Sequence, residues 1–330
     1  TAGSVGDVIL NAAGAINDDG SAGTVITADV LTATAAGAMT LDTTVNSVDL
    51  TTSAVGDIDI DETNAVTLTN ITAGEGSITV DAGGAIGVTS VLSSTDADDN
   101  GIFLRTTSGD ITVATITAGS VGDVILNAAG AINDDGASLT VITAGDLALR
   151  AASGIGSADA LDTVISNLAF TNTTSGDVNI SNTGGLTIAS VDGITTSNNT
   201  GGGVTLSATS PVTFAVDLTA SGNVVVQAIE SAATDFDNIT VNAGVTVESA
   251  GGHITFEAGD RIHVNATASV KADTTGSQNI TLDSGFGDID SDGLMTLDGS
   301  ILAGSTSGLI TLDLNAQQGA IQAGTGTLSG

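Results

Sequence analysis

Two short acidic segments carry the residue types and the spacing of a calcium-binding loop. Oxygen-bearing residues stand at alternate positions ahead of a glycine: Asp96, Asp98 and Asn100 in the first segment, and Asp288, Asp290 and Asp292 in the second. Such a pattern resembles the first half of an EF-hand loop, in which alternate oxygens wrap a Ca²⁺ ion. We therefore predict Ca²⁺ as a cofactor at these six metal ligands. The alternatives are a solvated acidic turn or the outward positions of a strand, which have the same spacing.

Both segments lack the acidic residue at position 12 that completes an EF-hand loop, since Thr107 and Gly299 stand there. A third run of alternate aspartates, Asp57 to Asp61, is interrupted by isoleucines and is typical of the exposed face of a strand. The two histidines, His253 and His263, fall on predicted outward positions without a third ligand of matching geometry.

No arrangement of residues points to catalysis. The serines lack a nucleophile elbow with a positioned histidine, so no catalytic triad can be assembled. A β-helical polysaccharide-binding or polysaccharide-cleaving protein is the alternative function, but its groove needs basic residues and aromatic platforms. The chain has four Lys and Arg together and no Trp or Tyr. We therefore predict that the protein is not an enzyme.

The net charge excludes one class of partner and disfavours another. Thirty-eight Asp and Glu oppose four Lys and Arg, for a formal charge of −34. Nucleic acid is excluded as a partner because no basic stripe could neutralise its phosphates. Anionic membrane surfaces are disfavoured for the same reason, and no apolar run of about 18 residues predicts membrane insertion. An acidic surface keeps a repetitive β protein soluble and offers oxygen ligands to hard cations.

An internal duplication organises the chain. Residues 117–136 repeat all twenty letters of residues 1–20, TAGSVGDVILNAAGAINDDG, and weaker similarity continues beyond them. For example, GDIDI from Gly56 corresponds to GDVNI from Gly176. We predict superrepeats at approximately 1–116, 117–232 and 233–330, within a single continuous β-solenoid over residues 1–330, because self-similarity at a fixed period is typical of repeat arrays.

A shorter unit recurs inside each superrepeat. It begins with Gly, often followed by Asp or Asn, and continues with apolar residues two apart, as in GDVILNA, GSITVDA and GHITFEA. The period of two predicts short strands, and glycine suits a turn or a close backbone approach. Recurrence at about 20 residues favours coils over sandwich domains. We predict an all-β, right-handed parallel β-helix of about 16 coils, each about 20 residues long.

The units GDVILNAAGAI, AGDLALRAASGI and GSITVDAGGAIGV resemble the β-strand repeats of filamentous-haemagglutinin-like adhesins and related giant bacterial surface proteins. The resemblance covers essentially the whole chain and implies right-handed β-helical rods exported to the cell surface for adhesion or assembly. The function it implies is a structural cell-surface or extracellular filament segment that acts by assembly and surface presentation, with host or cell-surface ligands as further partners.

The ends of the sequence predict self-association. The chain opens with a repeat that recurs in its interior, and its end, GAIQAGTGTLSG, contains no capping helix or charged block. Solenoid ends normally carry atypical capping repeats, because an open coil exposes backbone donors and acceptors. We therefore expect a further coil before Thr1, from the same longer polypeptide or from a copy stacked head to tail in a filament.

Overall fold

The structure is a computed structural model that describes residues 1–20, 25–137, 141–209, 211–231, 236–273, 276–287, 289, 293–314, 320–323 and 327–329. All regular secondary structure in these ranges is β, and the strands pair in parallel with their equivalents in the next coil. Contacts divide the chain into two compact units, Thr1–Ala152 and Ser153–Gly330. The predicted all-β parallel solenoid is confirmed.

The described residues of the first unit form sixteen strands: β1 Val8–Ala12, β2 Ile16–Asn17, β3 Ile26–Thr27, β4 Val30–Ala35, β5 Met39–Thr44, β6 Ser47–Thr52, β7 Ile58–Glu62, β8 Val66–Ala73, β9 Ile78–Ala82, β10 Ile86–Ser93, β11 Ile102–Thr106, β12 Ile111–Thr117, β13 Val124–Asn127, β14 Ile132–Asp134, β15 Val141–Thr143 and β16 Asp146–Ala151. One sheet stacks β1, β4, β6, β8, β10, β12 and β15, with β14 also on β12. A second stacks β2 and β3 on β5, followed by β7, β9, β11, β13 and β16.

In the second unit, the part of the chain that the structure describes forms twenty strands: β17 Leu161–Val164, β18 Asn167–Asn172, β19 Val178–Asn182, β20 Leu186–Ile188, β21 Ser197–Asn199, β22 Val204–Ala208, β23 Val212–Phe214, β24 Leu218–Ala220, β25 Val224–Ala228, β26 Ile239–Val241, β27 Thr246–Ser249, β28 Ile254–Ala258, β29 Arg261–Val264, β30 Ser269–Ala272, β31 Ile280–Ser284, β32 Leu294–Leu297, β33 Ser300–Leu302, β34 Ile310–Leu314, β35 Ala320–Ala323 and β36 Leu328–Ser329. Each full coil contributes three strands, so that β25, β26 and β27 are followed in the next coil by β28, β29 and β30.

The coils are longer than the repeat unit predicts. About 13 turns average roughly 23 residues, against the predicted 20. In the first unit Val48 pairs with Leu68, a step of 20 residues, whereas in the second Val224 pairs with Ile254, a step of 30. The strands keep their length while the loops between them grow, because a surface loop lengthens at little entropic cost. The predicted coil length is therefore too short, and the extra residues lie in loops.

The core is a set of aliphatic ladders inside the coils. Inward side chains alternate with outward ones along each strand, as in the buried Ile58 and Ile60 of β7 and the exposed Asp59 and Asp61 between them. In-register stacking places each inward residue directly above its equivalent, so Val, Ile and Leu bury a continuous apolar column. The run of aspartates in β7 is thus the exposed face of a strand, as predicted.

The Gly-Asp and Gly-Asn units mark a corner of the coil. The side chain after the glycine accepts a hydrogen bond from the backbone of the next coil: Asp57 Oδ1 accepts from the Ser77 N–H at 2.8 Å, and Asn223 Oδ1 accepts from the His253 N–H at 2.8 Å. His253 Nδ1 accepts in turn from the Asn279 N–H at 2.8 Å. The motif therefore ties one coil to the next, and His253 replaces an aspartate or asparagine as the acceptor.

The duplicated twenty residues lie on different sheets of the first unit. In the segment 1–20, β1 belongs to the first sheet and β2 to the second. In the segment 117–136 the assignment is reversed, since β13 belongs to the second sheet and β14 to the first. The local backbone is nevertheless shared, because Gly3 and its counterpart Gly119 both have positive φ, 78° and 90°. The shared sequence thus specifies the turn and which residues point inward, but it does not specify which of the two sheets each strand joins.

Buried polar residues satisfy the backbone at a second corner. Glu62 of β7 is 4% exposed, and its Oε2 accepts a hydrogen bond from Thr43 Oγ1 at 2.7 Å. At the position that the repeat alignment makes equivalent, Asn182 Oδ1 accepts from Thr163 Oγ1 at 2.9 Å. Glu62 and Asn182 also each accept a hydrogen bond from the backbone N–H two residues after their threonine, that of Val45 and that of Ile165. A carboxylate and an amide thus fill the same role in two copies.

No helix in the described part of the chain is long and apolar enough to cross a membrane.

Candidate metal centre

The described residues contain one cluster of side chains with the arrangement of a metal site: Glu230, Asp237 and Asp260. One carboxylate oxygen from each lies within 4.8 Å of the other two. Asp237 and Asp260 are both 0% exposed, and Glu230 is half-buried. Three carboxylates at this separation repel one another strongly where solvent is excluded, because the effective dielectric constant is lower there than in water.

Three elements of the second unit position these side chains. Glu230 follows β25, Asp237 precedes β26, and Asp260 stands between β28 and β29 in the next coil. The loop between β25 and β26 contains part of the extra length of this coil. Gly259 lies against it: a Cβ at this position would overlap Glu230 Oε2 and lie 2.7 Å from Glu230 Cα. The absence of a side chain at Gly259 is therefore what allows the loop to lie on the next coil.

Backbone donors hold two of the carboxylates in place. Asp260 Oδ2 accepts hydrogen bonds from the N–H of Phe236 and, at 2.7 Å, from the N–H of Asp237. Asp237 Oδ2 accepts from the Ser231 N–H at 2.7 Å. The other oxygen of Asp237, Oδ1, is buried and has no hydrogen-bond partner among the described residues. An unpaired oxygen of a fully buried carboxylate is costly unless a proton or a cation compensates it.

Glu230 also contacts the loop after β31. Its Oε1 accepts a hydrogen bond from the Ile289 N–H at 3.4 Å. Ile289 stands between Asp288 and Asp290 in the sequence. Those two residues and Asp292, the predicted ligands of the second calcium loop, lie outside the described residues. The calcium prediction for that loop stays a prediction.

The first predicted calcium loop has a structural role in coil stacking. Asp96 Oδ2 accepts a hydrogen bond from Ser120 Oγ and its Oδ1 from the Val121 N–H, both at 2.8 Å. These hydrogen bonds lower the pKa of Asp96 below its ordinary value, the one from the Ser120 side chain most. Asp98 is exposed, whereas Asn100 is 7% exposed and donates through Nδ2 to the Thr95 carbonyl. Calcium at Asp96, Asp98 and Asn100 stays a prediction.

The strand period could have identified two members of the cluster. In units such as GDVILN, the aspartate directly precedes an inward residue and therefore faces outward. Asp260 instead stands two residues before the inward Ile262, and Asp237 stands two residues before the inward Ile239. Alternation thus predicts that both aspartates face inward. Glu230 carries no such signal, because it lies in a loop.

A second acidic feature runs along the surface of the first unit. Register places Asp42, Asp61 and Asp81 in a ladder on consecutive strands, followed by Arg105. Arg105 Nε pairs with Asp81 Oδ1 at 2.7 Å. Beside the ladder, the pKa of Asp59 is raised by desolvation and by the charges of Asp61, Asp81, Asp57 and Asp42. Stacked carboxylates about 4.8 Å apart thus oppose each other's ionisation.

This raised pKa has a consequence for stability. Folded protein binds the Asp59 proton more tightly than the unfolded chain does, so the stabilising contribution is complete below the ordinary pKa of about 3.9 and is lost as pH rises through the raised value. Asp59→Asn is therefore expected to raise the melting temperature at pH 7 by about 1 °C in low salt. The gain should vanish near pH 3 and shrink in 1 M NaCl. Calorimetry should show no such gain for the exposed control Asp159→Asn; equal gains would contradict the ladder as the cause.

In comparisons with protein-family models, with curated proteins and with solved structures, nothing matches this chain, so the resemblance to adhesin repeats rests on the sequence motifs and on the β-solenoid fold.

Proposed function

We propose that the chain is a structural segment of an extracellular or cell-surface filament, and that it acts by assembly and by presenting repeated faces. The observation that supports this function is the in-register parallel stack. Outward positions recur on consecutive coils in direct register, as Thr40, Asp59 and Thr79 do on β5, β7 and β9. A solenoid of this kind presents length and periodic surface.

The same geometry supports the partners that we propose. Parallel coils can continue into further coils of a longer polypeptide or into another copy stacked head to tail, since each strand pairs with an equivalent strand. The acidic outward faces, at a net charge of −34, keep neighbouring rods apart and hydrated. Ligands on a host or neighbouring cell would then bind the repeated outward faces.

Location can be tested on the cells that produce the protein. Immunogold electron microscopy with antibodies against the folded chain is expected to label the outer surface or filaments released from it. Permeabilised cells serve as the comparison, because they expose the interior to the same antibody. Label that appears only after permeabilisation would contradict a surface role.

Assembly is expected to depend on salt. Charge repulsion between copies acts over a Debye length of about 30 Å at 0.01 M salt but only about 8 Å at 0.15 M. Analytical ultracentrifugation and negative-stain microscopy of the purified chain should therefore show larger, elongated species as NaCl increases. A monodisperse species of 31.8 kDa at every salt and protein concentration would count against assembly by the chain alone.

A further inference from the structure

We propose that Glu230, Asp237 and Asp260 bind a Ca²⁺ ion that fixes the loop after β25 to the next coil. The proposal stands apart from the filament function and from the two sequence-predicted calcium loops. It rests on the distances between the carboxylates, on their burial and on the unpaired oxygen of Asp237.

The distances fit calcium. Protein oxygens bind Ca²⁺ at 2.3–2.6 Å, so two ligands on opposite sides of the ion are about 4.8 Å apart. One oxygen from each of the three carboxylates lies within that separation of the others. Mg²⁺ requires about 2.1 Å and near-ideal octahedral geometry, and it gives up its water reluctantly. The chain contains no cysteine, and neither histidine belongs to the cluster, so the donors are hard oxygens.

The buried carboxylates of the cluster need a positive charge beside them to compensate their own. Asp237 and Asp260 are 0% exposed, and no donor in the described part of the chain reaches Asp237 Oδ1. A cation bound among the carboxylates would compensate their charge directly, with water completing the coordination. The competing explanation is that protons neutralise the cluster.

Binding would couple the loop to the stack. Glu230 and Asp237 belong to the loop of one coil, and Asp260 belongs to the next coil. One ion held by all three would therefore cross-link two coils, adding to the hydrogen bonds that Asp260 Oδ2 already accepts from the loop. Ligands that bind only the folded state stabilise it by mass action.

The test uses the full chain, freed of metal by a chelator and studied in 0.15 M NaCl to suppress diffuse binding to the acidic surface. Titration calorimetry with CaCl₂ is expected to show a saturable site that MgCl₂ fills much more weakly. Calcium at about 100 times its dissociation constant should raise the melting temperature by about 5–10 °C. No saturable calcium binding and no shift in melting temperature would overturn the proposal.

Variants identify the ligands. Asp237→Asn and Glu230→Gln should each weaken calcium binding at least tenfold, whereas the exposed control Asp313→Asn should leave it unchanged. Retained affinity in both ligand variants would overturn the assignment. If Asp290→Asn loses calcium binding while Asp237→Asn and Glu230→Gln keep it, the ion belongs instead to the second calcium loop that the sequence predicts.

The effect of Asp237→Asn on the melting temperature should reverse its sign when calcium is added, and this reversal distinguishes metal binding from a purely structural role. Without calcium, Asp237→Asn should melt above the wild type, because it removes one of three mutually repelling carboxylates. With saturating calcium it should melt below the wild type, because the ion is lost. A variant that shifts the melting temperature equally in both conditions would show that Asp237 acts only through its hydrogen bonds. Glu230→Gln, which is less buried, provides the same comparison if Asp237→Asn fails to fold.

Discussion

Replacing Asn172 by alanine is expected to lower the free energy of unfolding by about 3 kcal/mol. Asn172 is 1% exposed at the end of β18, and its Oδ1 accepts a hydrogen bond from the Gly154 N–H at 2.9 Å. Its Nδ2 donates to the carbonyls of Ser175 and Gly176 and to Asn199 Oδ1, each at 2.9 Å. Truncation therefore leaves the N–H of the buried Gly154 without the acceptor that Asn172 provides and removes the donor to three oxygens. A buried polar group left without its partner costs about 1–3 kcal/mol, and the lost packing of the side chain adds to that cost.

The melting temperature should fall by roughly 5–10 °C, and amide exchange at Gly154 should accelerate. The matched control is Asn198→Ala on the next coil, where the asparagine alternates to the outward face of β21 and a change within about 0.5 kcal/mol is expected. Equal effects of the two substitutions would show that the buried amide network contributes no special stability. Amide exchange is measured as well as the melting temperature because a repeat array can unfold in parts, and exchange reports the local stability around Gly154.

Much of the fold was predictable, because it depends on short-range patterns. Apolar residues two apart specify strands, and their recurrence specifies parallel stacking rather than a sandwich. The coil length that the repeat predicts is too short, since a longer connection, such as the one from β25 to β26, lengthens a coil without changing its strands. The duplicated segments 1–20 and 117–136 show a second limit. Their strands exchange sheets, so the shared sequence does not determine which sheet a strand joins.

The candidate site was only partly accessible from the sequence. Alternation indicates that Asp237 and Asp260 face inward, but it cannot show that the loop from Glu230 brings a third carboxylate to them across two coils. The D-x-D-x-N-G motif predicts ligands by spacing, yet the Asp96 carboxylate accepts hydrogen bonds from the turn at Ser120. His253 shows the same limit, since only the structure reveals that its Nδ1 is a backbone acceptor.

The glycine at the head of the repeat unit leads to a further prediction, because the close spacing between coils leaves no room for a side chain there. A Cβ on Gly56 would overlap the backbone nitrogen of Ala38 in the preceding coil and lie 2.6 Å from the carbonyl carbon of Gly37. Those atoms are backbone and cannot move aside without separating the coils. The Gly56 N–H also donates to the Glu75 carbonyl at 2.7 Å in the following coil, so displacement in one direction strains the contact in the other.

Gly56→Ala is therefore expected to destabilise the first unit by about 3 kcal/mol, at the upper end of the usual effect of overpacking. The matched control is Gly87→Ala in β10, where the nearest atom to a new Cβ would be Thr67 Oγ1 at 3.8 Å. Since that position has room, the substitution should change the free energy of unfolding by less than about 1 kcal/mol and can even stabilise the fold by restricting the unfolded chain. Chemical denaturation followed by circular dichroism measures both variants. If Gly56→Ala unfolds at the same denaturant concentration as Gly87→Ala, the glycine is not required by coil stacking, and the Gly-Asp motif must owe its recurrence to the aspartate alone.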